Sequence, residues 1–234
     1  MLAILTAALV ALGFLAGPRL RIAGATSLLP LAESARGGLQ VLAGGPVSIS
    51  ALGSSYGVAS LLRRSADLAL VDVPFGGPGL ERREIARLTL AVIVAPGLPR
   101  SLSLPQLRAV LRGRVRSWAA LGGPRRPVEL VLRQHGSGLR TRLRQLAGGP
   151  LRPGAATALA SGQVVEVALA LPGGVGVVES GYAPQSAVAA VDGRRPGQAG
   201  YTLTYAAYAV WRRGDVRAAM AADLLHAVAV RSGE

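Results

Sequence analysis

The chain has 234 residues, half of them hydrophobic, which is enough apolar material for the core of one domain or of two small lobes. It contains no cysteine, which excludes disulfide bonds, thiolate metal sites and a cysteine nucleophile, and its two histidines are too few and too scattered for a metal site, so we expect no cofactor. The net charge is +14, and all 26 basic residues are arginine, so anions of every kind are attracted. Aromatic residues make up only 4% and no nucleic-acid-binding motif is present, so no specific nucleic-acid partner is expected.

Residues 1–19 predict a signal peptide or an N-terminal membrane anchor. The apolar run over residues 2–16 suits the hydrophobic core of a signal better than a full membrane span. Two features disagree with a standard signal peptide: no arginine precedes this run, and Arg19 and Arg21 follow it. We expect a periplasmic or otherwise extracytoplasmic protein, anchored or released. The alternative is a buried helix of a cytosolic protein.

The first segment after the leader, "LRIAGATSLLPLAESARGG", combines a strand, a turn and a helix. Residues 20–23 are typical of a buried strand. Thr26 or Ser27 is placed to cap the helix that follows, and the glycine pair at Gly37 is expected to end it.

The second segment, "VSISALGSSYGVASLLRRSADLALVDVPF", repeats this order. Residues 47–51 alternate like a strand, and Ser54 and Ser55 are expected to cap a short helix. A second, buried strand then ends at Asp72.

The third segment, "VELVLRQHGSGLRTRLRQL", places Arg133 at the end of a strand and begins a helix at Ser137 or Gly138. Three strand–turn–helix units predict an α/β fold with parallel strand pairs and helices on the faces of the sheets. In such sheets ligands bind beyond the carboxyl ends of the strands, where all three turns lie.

The rest of the chain predicts a second lobe. Residues 88–97 and the stretch near residue 205 indicate long strands that cross between lobes, and residues 216–230 indicate a closing helix. We assign residues 20–92 and 203–234 to lobe I and residues 93–202 to lobe II, with the ligand cleft between them.

The three turns offer the chemistry of a small-oxyanion site. Each helix start has free backbone N–H groups and the positive end of a helix dipole, and hydroxyls and Arg133 add further donors. An ionised Asp72 can only accept, so it would favour a ligand that carries a proton and penalise sulfate. Each feature alone is more often structural: a serine turn is usually a cap, Asp72 a turn residue and Arg133 a solvated charge. Their occurrence together favours the binding site.

The order of these motifs resembles the phosphate-binding proteins of phosphate ABC importers, within the type II periplasmic binding proteins. The similar segments are "GATSLLP", "GSSYGVASLLRRSADLALVDVPF", "LRAVLRGRVRSW", "VLRQHGSGLR" and "LPGGVGVVESGYA". This resemblance implies a two-lobed fold, inorganic phosphate as ligand, permease subunits as partners and a monomer without enzymatic activity. It places the following residues at phosphate-contacting positions: Thr26, Ser27, Ser54, Asp72, Arg133, Ser137, Gly138 and Leu139.

The chain departs from this family at three positions. Ser27 stands in place of an aromatic residue, Leu139 in place of a hydroxyl donor, and His135 in place of the aspartate that holds the arginine. Losing that acid makes the pocket more positive. Three other functions stay open: a membrane-tethered sensor or accessory protein of the same fold, a phosphate-ester hydrolase, and nonspecific nucleic-acid binding through charge.

Overall fold

The computed structural model describes residues 19–232, so nearly all of the predicted leader lies outside the described residues. The described part is an α/β protein with ten strands and seven α-helices. No helix within residues 19–232 has both the length and the apolar character needed to cross a bilayer. The strands are β1 (Leu20–Gly24), β2 (Val47–Ala51), β3 (Leu68–Val71), β4 (Leu80–Val94), β5 (Ser101–Leu102), β6 (Glu129–Arg133), β7 (Ala156–Ala158), β8 (Gly174–Glu179), β9 (Val188–Val191) and β10 (Thr204–Arg212).

The helices cover the faces of the sheet, and short 3₁₀ turns supplement them. One such turn, Thr26–Leu28, comes directly after β1. The α-helices are α1 (Leu29–Ser34), α2 (Arg36–Ala43), α3 (Ser54–Leu62), α4 (Leu104–Leu111), α5 (Gly138–Ala147), α6 (Ser161–Ala170) and α7 (Val216–Ser232).

The main path of the sheet has the strand order β2-β1-β3-β10-β4-β8-β6-β7. Strand β1 pairs in parallel with β2 and β3, and β6 pairs in parallel with β7 and β8, as the strand–turn–helix pattern predicts. The return strand β10 runs antiparallel to β3 and β4. The carboxyl ends of β1, β2, β3 and β6 therefore carry the turns that the sequence analysis singled out.

Strand β4 belongs to both halves of this sheet. Its residues up to Thr89 pair with β10, and its residues from Leu90 pair with β8. The prediction of a crossing strand near residue 90 is confirmed, but the strand begins at Leu80 rather than at residue 88. Strand β10 pairs only with β3 and β4, so of the two long strands β4 alone pairs in both halves. The lobe boundaries themselves stay a prediction.

The helical region after β1 is longer than the sequence predicts. The helix expected to stop near Gly37 is followed at once by α2, which continues to Ala43. Gly38 lies inside α2, where a Cβ atom would come within 2.9 Å of a methyl group of Leu224 on α7. The glycine is therefore needed for the close packing of two helices, and it does not end a helix.

An ion pair lies at the amino-terminal end of β1, away from the turn that follows this strand. Arg21 donates to Asp67 through Nε at 3.1 Å and through Nη2 at 2.8 Å, and the backbone N–H of Arg21 donates to the same carboxylate at 2.9 Å. Burial opposes the charge of Asp67, but these hydrogen bonds hold its pKa below the usual value. The charged form of Asp67 therefore stabilises the fold.

We expect Asp67→Asn to lower the free energy of unfolding by about 1 kcal/mol at neutral pH, a modest value because the Arg21 side chain is 39% exposed and the pair is screened by water. Since the folded pKa is lowered, this stabilisation is present above the unfolded pKa and is lost as the pH falls through the folded pKa. Denaturant unfolding at neutral and acidic pH measures it. The exposed pair of Glu33 and Arg36 supplies the control Glu33→Gln, which should change little at either pH.

Candidate functional site

The helix starts after β1, β2 and β6 come together at one edge of the sheet. The backbone N–H of Ser55, on α3, donates to the carbonyl oxygen of Gly136 at 3.2 Å, which joins two of these turns. The residues at the three N-caps are Ala25, Gly53 and Ser137, and none makes a side-chain capping hydrogen bond. The sequence predicted that hydroxyl groups cap these helices, namely those of Thr26, Ser27, Ser54 and Ser55. That prediction is therefore wrong.

Two of those hydroxyls instead surround Asp72, which follows β3 and is 2% exposed. Ser27 Oγ donates to Asp72 Oδ1 in a short hydrogen bond. Ser54 Oγ lies 3.3 Å from Oδ2 and accepts from the Asp72 backbone N–H at 3.1 Å. Burial raises the pKa of Asp72, while the surrounding hydroxyls and the charge of Arg133 oppose the rise.

Arg133, at the end of β6, is 2% exposed and reaches across the cleft. Its Nη1 donates to Thr26 Oγ1 at 2.7 Å and to Ser161 Oγ at 3.1 Å, and its Nη2 donates to the Leu159 carbonyl oxygen at 2.8 Å. Burial lowers the pKa of Arg133, but guanidinium groups stay protonated in proteins. Within residues 19–232 its buried Nε has no hydrogen-bond partner.

A second buried acid, Glu179 at the end of β8, lies in the same cluster and was missed by the sequence analysis. It is 5% exposed. Ser161 Oγ donates to its Oε2 at 2.8 Å, and Tyr205 Oη lies 3.1 Å from its Oε1 and 3.3 Å from Asp72 Oδ1. Burial and the nearby charge of Asp72 raise the pKa of Glu179. The available signal was a charged residue that ends the otherwise apolar strand "GVGVVE".

The start of α5 packs directly on Asp72. A Cβ atom on Gly138 would lie 2.5 Å from Asp72 Cβ and would also overlap Ser54 Oγ. One turn along, Arg142 donates from Nε to the Asp72 carbonyl oxygen at 2.6 Å, and its guanidinium lies 5.4 Å from the ring centre of Tyr205. The two halves of the protein are thus in contact across the cleft.

The structure brings most of the predicted site residues together. Thr26 contacts Arg133, Ser27 and Ser54 contact Asp72, and Gly138 packs against Asp72 and Ser54. Ser137 is 3% exposed at the start of α5. The Leu139 side chain belongs to the hydrophobic core, and its N–H, like that of Gly138, lies in the first turn of α5, where N–H groups lack intrahelical partners. Contact of all eight residues with phosphate stays a prediction.

A cavity of about 250 Å³ adjoins this cluster. Ser27, Glu179, Arg87 and Tyr182 form part of its wall. Tyr182 Oη donates to the carbonyl oxygen of Thr26 at 3.0 Å. His135, by contrast, is exposed, so the position that carries an aspartate in the resembling family contributes no buried acid here.

Two half-sheets that share a strand, with polar turns facing each other across a cleft, define a two-lobed periplasmic-binding-protein fold. The chain belongs to the PBP superfamily, whose domain model matches residues 15–222. None of the curated protein sequences matches the chain.

Solved structures with this fold include two described as phosphate transport proteins. One, from Clostridium perfringens, is described as a phosphate ABC transporter substrate-binding protein and contains bound phosphate. It is 22% identical with a TM-score of 0.77, over 88% of this chain and 92% of that chain. An ABC-type phosphate transport receptor from Vibrio cholerae is 18% identical with a TM-score of 0.73, over 91% and 96% of the two chains.

A different class of protein shares the fold as well. The reduced form of OxyR from Neisseria meningitidis is 15% identical with a TM-score of 0.63, over 91% of this chain and 94% of that chain. At these identities the likeness concerns the fold, so the function has to be argued from the site.

Proposed function

We propose that the protein binds inorganic phosphate between its two lobes and delivers it to the membrane permease of an ABC importer, without chemical turnover. Closure of the lobes around the ligand would give the permease a conformation to recognise. No bond is broken in this role, and the protein acts as a monomer outside the cytoplasm, with residues 20–92 and 203–234 as lobe I and residues 93–202 as lobe II.

The main support for the proposal is that the guanidinium of Arg133 is buried without a direct ion pair inside the described part of the chain. Its guanidinium is buried, its Nε has no hydrogen-bond partner, and no carboxylate of residues 19–232 lies within ion-pairing distance. A buried cation is costly unless an anion pairs with it. A planar guanidinium suits the paired oxygens of a tetrahedral oxyanion, and the first N–H groups of α3 and α5 supply the additional donors such an anion needs.

The buried acid next to this arginine selects among oxyanions. Asp72 accepts from Ser27 and Ser54 but, when ionised, donates nothing. A phosphate that keeps one proton can donate it to Asp72, whereas fully ionised sulfate would face the carboxylate with no hydrogen to share. Titration calorimetry with phosphate and sulfate near neutral pH tests the proposal. The proposal fails if neither binds or if both bind equally.

Asp72→Asn should reduce the preference for phosphate over sulfate about ten- to a hundredfold, which corresponds to about 1–3 kcal/mol for one buried unpaired polar group. The amide keeps the shape of the side chain and can donate to sulfate. Calorimetry on both anions measures the ratio. The control is Asp223→Asn on the outer face of α7, where the side chain is 59% exposed and the ratio should not change. An unchanged ratio in Asp72→Asn would remove Asp72 as the selective residue.

The alternative of a membrane-tethered phosphate sensor or accessory protein of the same fold stays open, since the fold is not confined to transport proteins: four of the similar solved structures are described as OxyR or its regulatory domain. A sensor would bind the same anion but would not need a permease. Phosphate uptake by cells that lack this protein separates the two roles, because only an importer component should lower the uptake rate directly.

A further inference from the structure

One phenol oxygen joins the two buried acids of the site. Tyr205 Oη lies 3.1 Å from Glu179 Oε1 and 3.3 Å from Asp72 Oδ1. Burial raises the pKa of Tyr205 well above its usual value, so the phenol keeps its single hydrogen. That hydrogen can be donated fully to one carboxyl group only. The other carboxyl group must then either face a phenol lone pair as an anion, which is repulsive, or donate a hydrogen of its own to Tyr205.

Two carboxyl groups buried on either side of one phenol oxygen do not both ionise readily, and the charge of Asp72 raises the pKa of Glu179. Both are nearly inaccessible to water, with exposures of 2% for Asp72 and 5% for Glu179. If both were ionised, two negative charges would stand against Arg133, the one fully buried arginine among residues 19–232, before any anion arrived. The chain of hydrogen bonds is therefore complete when one of the two acids carries a hydrogen and the other is ionised.

The hydrogen bonds around the two acids decide which of them carries the hydrogen. Asp72 accepts from two hydroxyls besides Tyr205, one on each oxygen, and these bonds favour its ionised form. Glu179 accepts from one hydroxyl, that of Ser161, on Oε2. Its Oε1 lies 3.1 Å from Tyr205 Oη and can carry a hydrogen, and the negative charge of Asp72 favours the neutral form of Glu179.

We propose that Glu179 is a positioning residue of the anion site: its carboxyl group carries the hydrogen, donates it to Tyr205 Oη, and thereby directs the phenol hydrogen to Asp72. Asp72 is then held as an ionised acceptor for the hydrogen of the ligand. This inference rests on the proposed phosphate site and adds to it the residue that sets the charge state of Asp72. Ser161 links the Glu179 carboxyl group to Arg133 Nη1 through hydrogen bonds, without an ion pair between the two side chains.

The other ionisable groups around Glu179 are consistent with this assignment. Tyr182 follows β8, and burial, the largest cause, raises its pKa, so its phenol is a neutral neighbour of Glu179. Arg87 on β4 lies in the wall of the adjoining cavity but pairs with Glu84 at 3.2 Å, so its charge is already balanced. Arg133, on β6, reaches Glu179 only through Ser161.

The inference predicts a specific pH dependence of anion binding. Below the raised pKa of Glu179 the hydrogen is present and Asp72 serves as the acceptor. Above it both acids are ionised, and the added negative charge weakens the binding of every anion. One hydrogen that must be taken up on binding lowers the affinity by up to about tenfold for each pH unit.

The first test is the pH profile of phosphate affinity in the full-length protein with wild-type sequence, in Glu179→Gln and in the control Glu166→Gln, which changes an exposed residue of α6. The glutamine amide donates to Tyr205 at every pH, as neutral Glu179 does. The ratio of the Glu179→Gln affinity to the wild-type affinity should rise with pH, while the ratio for Glu166→Gln stays level. Comparing ratios cancels the titration of phosphate itself. A ratio for Glu179→Gln that is uniformly lowered at every pH would overturn the inference, because it would mean that Glu179 acts as an ionised partner of Arg133.

The second test needs no ligand. Infrared difference spectroscopy of the unliganded protein at neutral pH should show the C=O stretch of a buried, neutral carboxylic acid, and this band should be missing in Glu179→Gln but present in Glu166→Gln. A band that persists in Glu179→Gln, or that is absent from the wild type, contradicts the inference. If phosphate does not bind at all, the proposed function fails, and the infrared band still decides whether Glu179 carries the hydrogen.

Discussion

Replacing Arg133 with lysine should weaken phosphate binding at least about a hundredfold, or about 2.8 kcal/mol. The guanidinium of Arg133 makes hydrogen bonds to Thr26, Ser161 and Leu159, while within residues 19–232 its Nε has no hydrogen-bond partner. A lysine ammonium is a single point with three hydrogens and cannot replace these contacts while also contacting the ligand. It would keep the positive charge, so the loss would come from geometry.

Titration calorimetry with phosphate measures this loss, and a thermal melt of the unliganded variant checks that the protein still folds. Arg144→Lys is the matched control, since Arg144 is exposed on α5, the helix that starts at the site. The control should bind like the wild type. If Arg133→Lys binds phosphate within about threefold of the wild type, the guanidinium fork is not the main anion contact.

Replacing Gly138 with alanine should prevent the lobes from closing and lower phosphate affinity by at least about tenfold, because protein interiors are too densely packed to admit an added methyl group without a shift. The new Cβ would lie 2.5 Å from Asp72 Cβ and 2.7 Å from Asp72 Oδ2. Both obstacles lie on the opposite side of the cleft. These close contacts would be absent when the lobes are apart, so we expect the open protein to fold normally.

Small-angle X-ray scattering with and without phosphate shows whether closure occurs, and calorimetry gives the affinity. Gly162→Ala is the control, because Gly162 occupies the same region of α6, near its N-terminus, and a Cβ there meets no atom within 4 Å. The control should close and bind as the wild type does. If Gly138→Ala closes normally, α5 does not pack on Asp72 in the liganded state.

The strand–turn–helix order allowed the α/β fold to be predicted, but it failed where a residue's role depends on a distant neighbour. The first half of β4 carries exposed charges such as Arg82 and Arg83, so it lacks the apolar run that identified residues 88–97. It is a strand because β10 supplies hydrogen bonds along it. The glycine pair at Gly37 likewise looked like the end of a helix, whereas its second member, Gly38, makes room for Leu224 of a helix far along the chain.

The residues of the candidate site also differ in whether the sequence alone could identify them. Residues that follow a strand within a recognisable turn, such as Asp72 and Arg133, could be identified from local order. Glu179, Ser161 and Tyr205 could not, because none stands in a glycine-rich turn after a strand of the repeated pattern. They join the cluster only through the pairing of β8 and β10 with β4 and through the position of α6. A lone charged residue at the end of a buried strand is a usable signal, and it deserves weight in chains of this kind.

The change of pairing partner along β4, from β10 to β8, bears on which residues would move when the lobes open. Glu179 is paired with Leu90 and Tyr205 with Leu88, on either side of the point where β4 leaves β10 and joins β8. If the lobes open about this point of β4, residues beside it would move least, whereas Arg133 and the start of α5, which lie beyond β8, would move most. The tyrosine and the glutamate would thus stay in contact in the open state, and an arriving phosphate would meet a cleft whose acidity is already set, with no wait for a proton from bulk water.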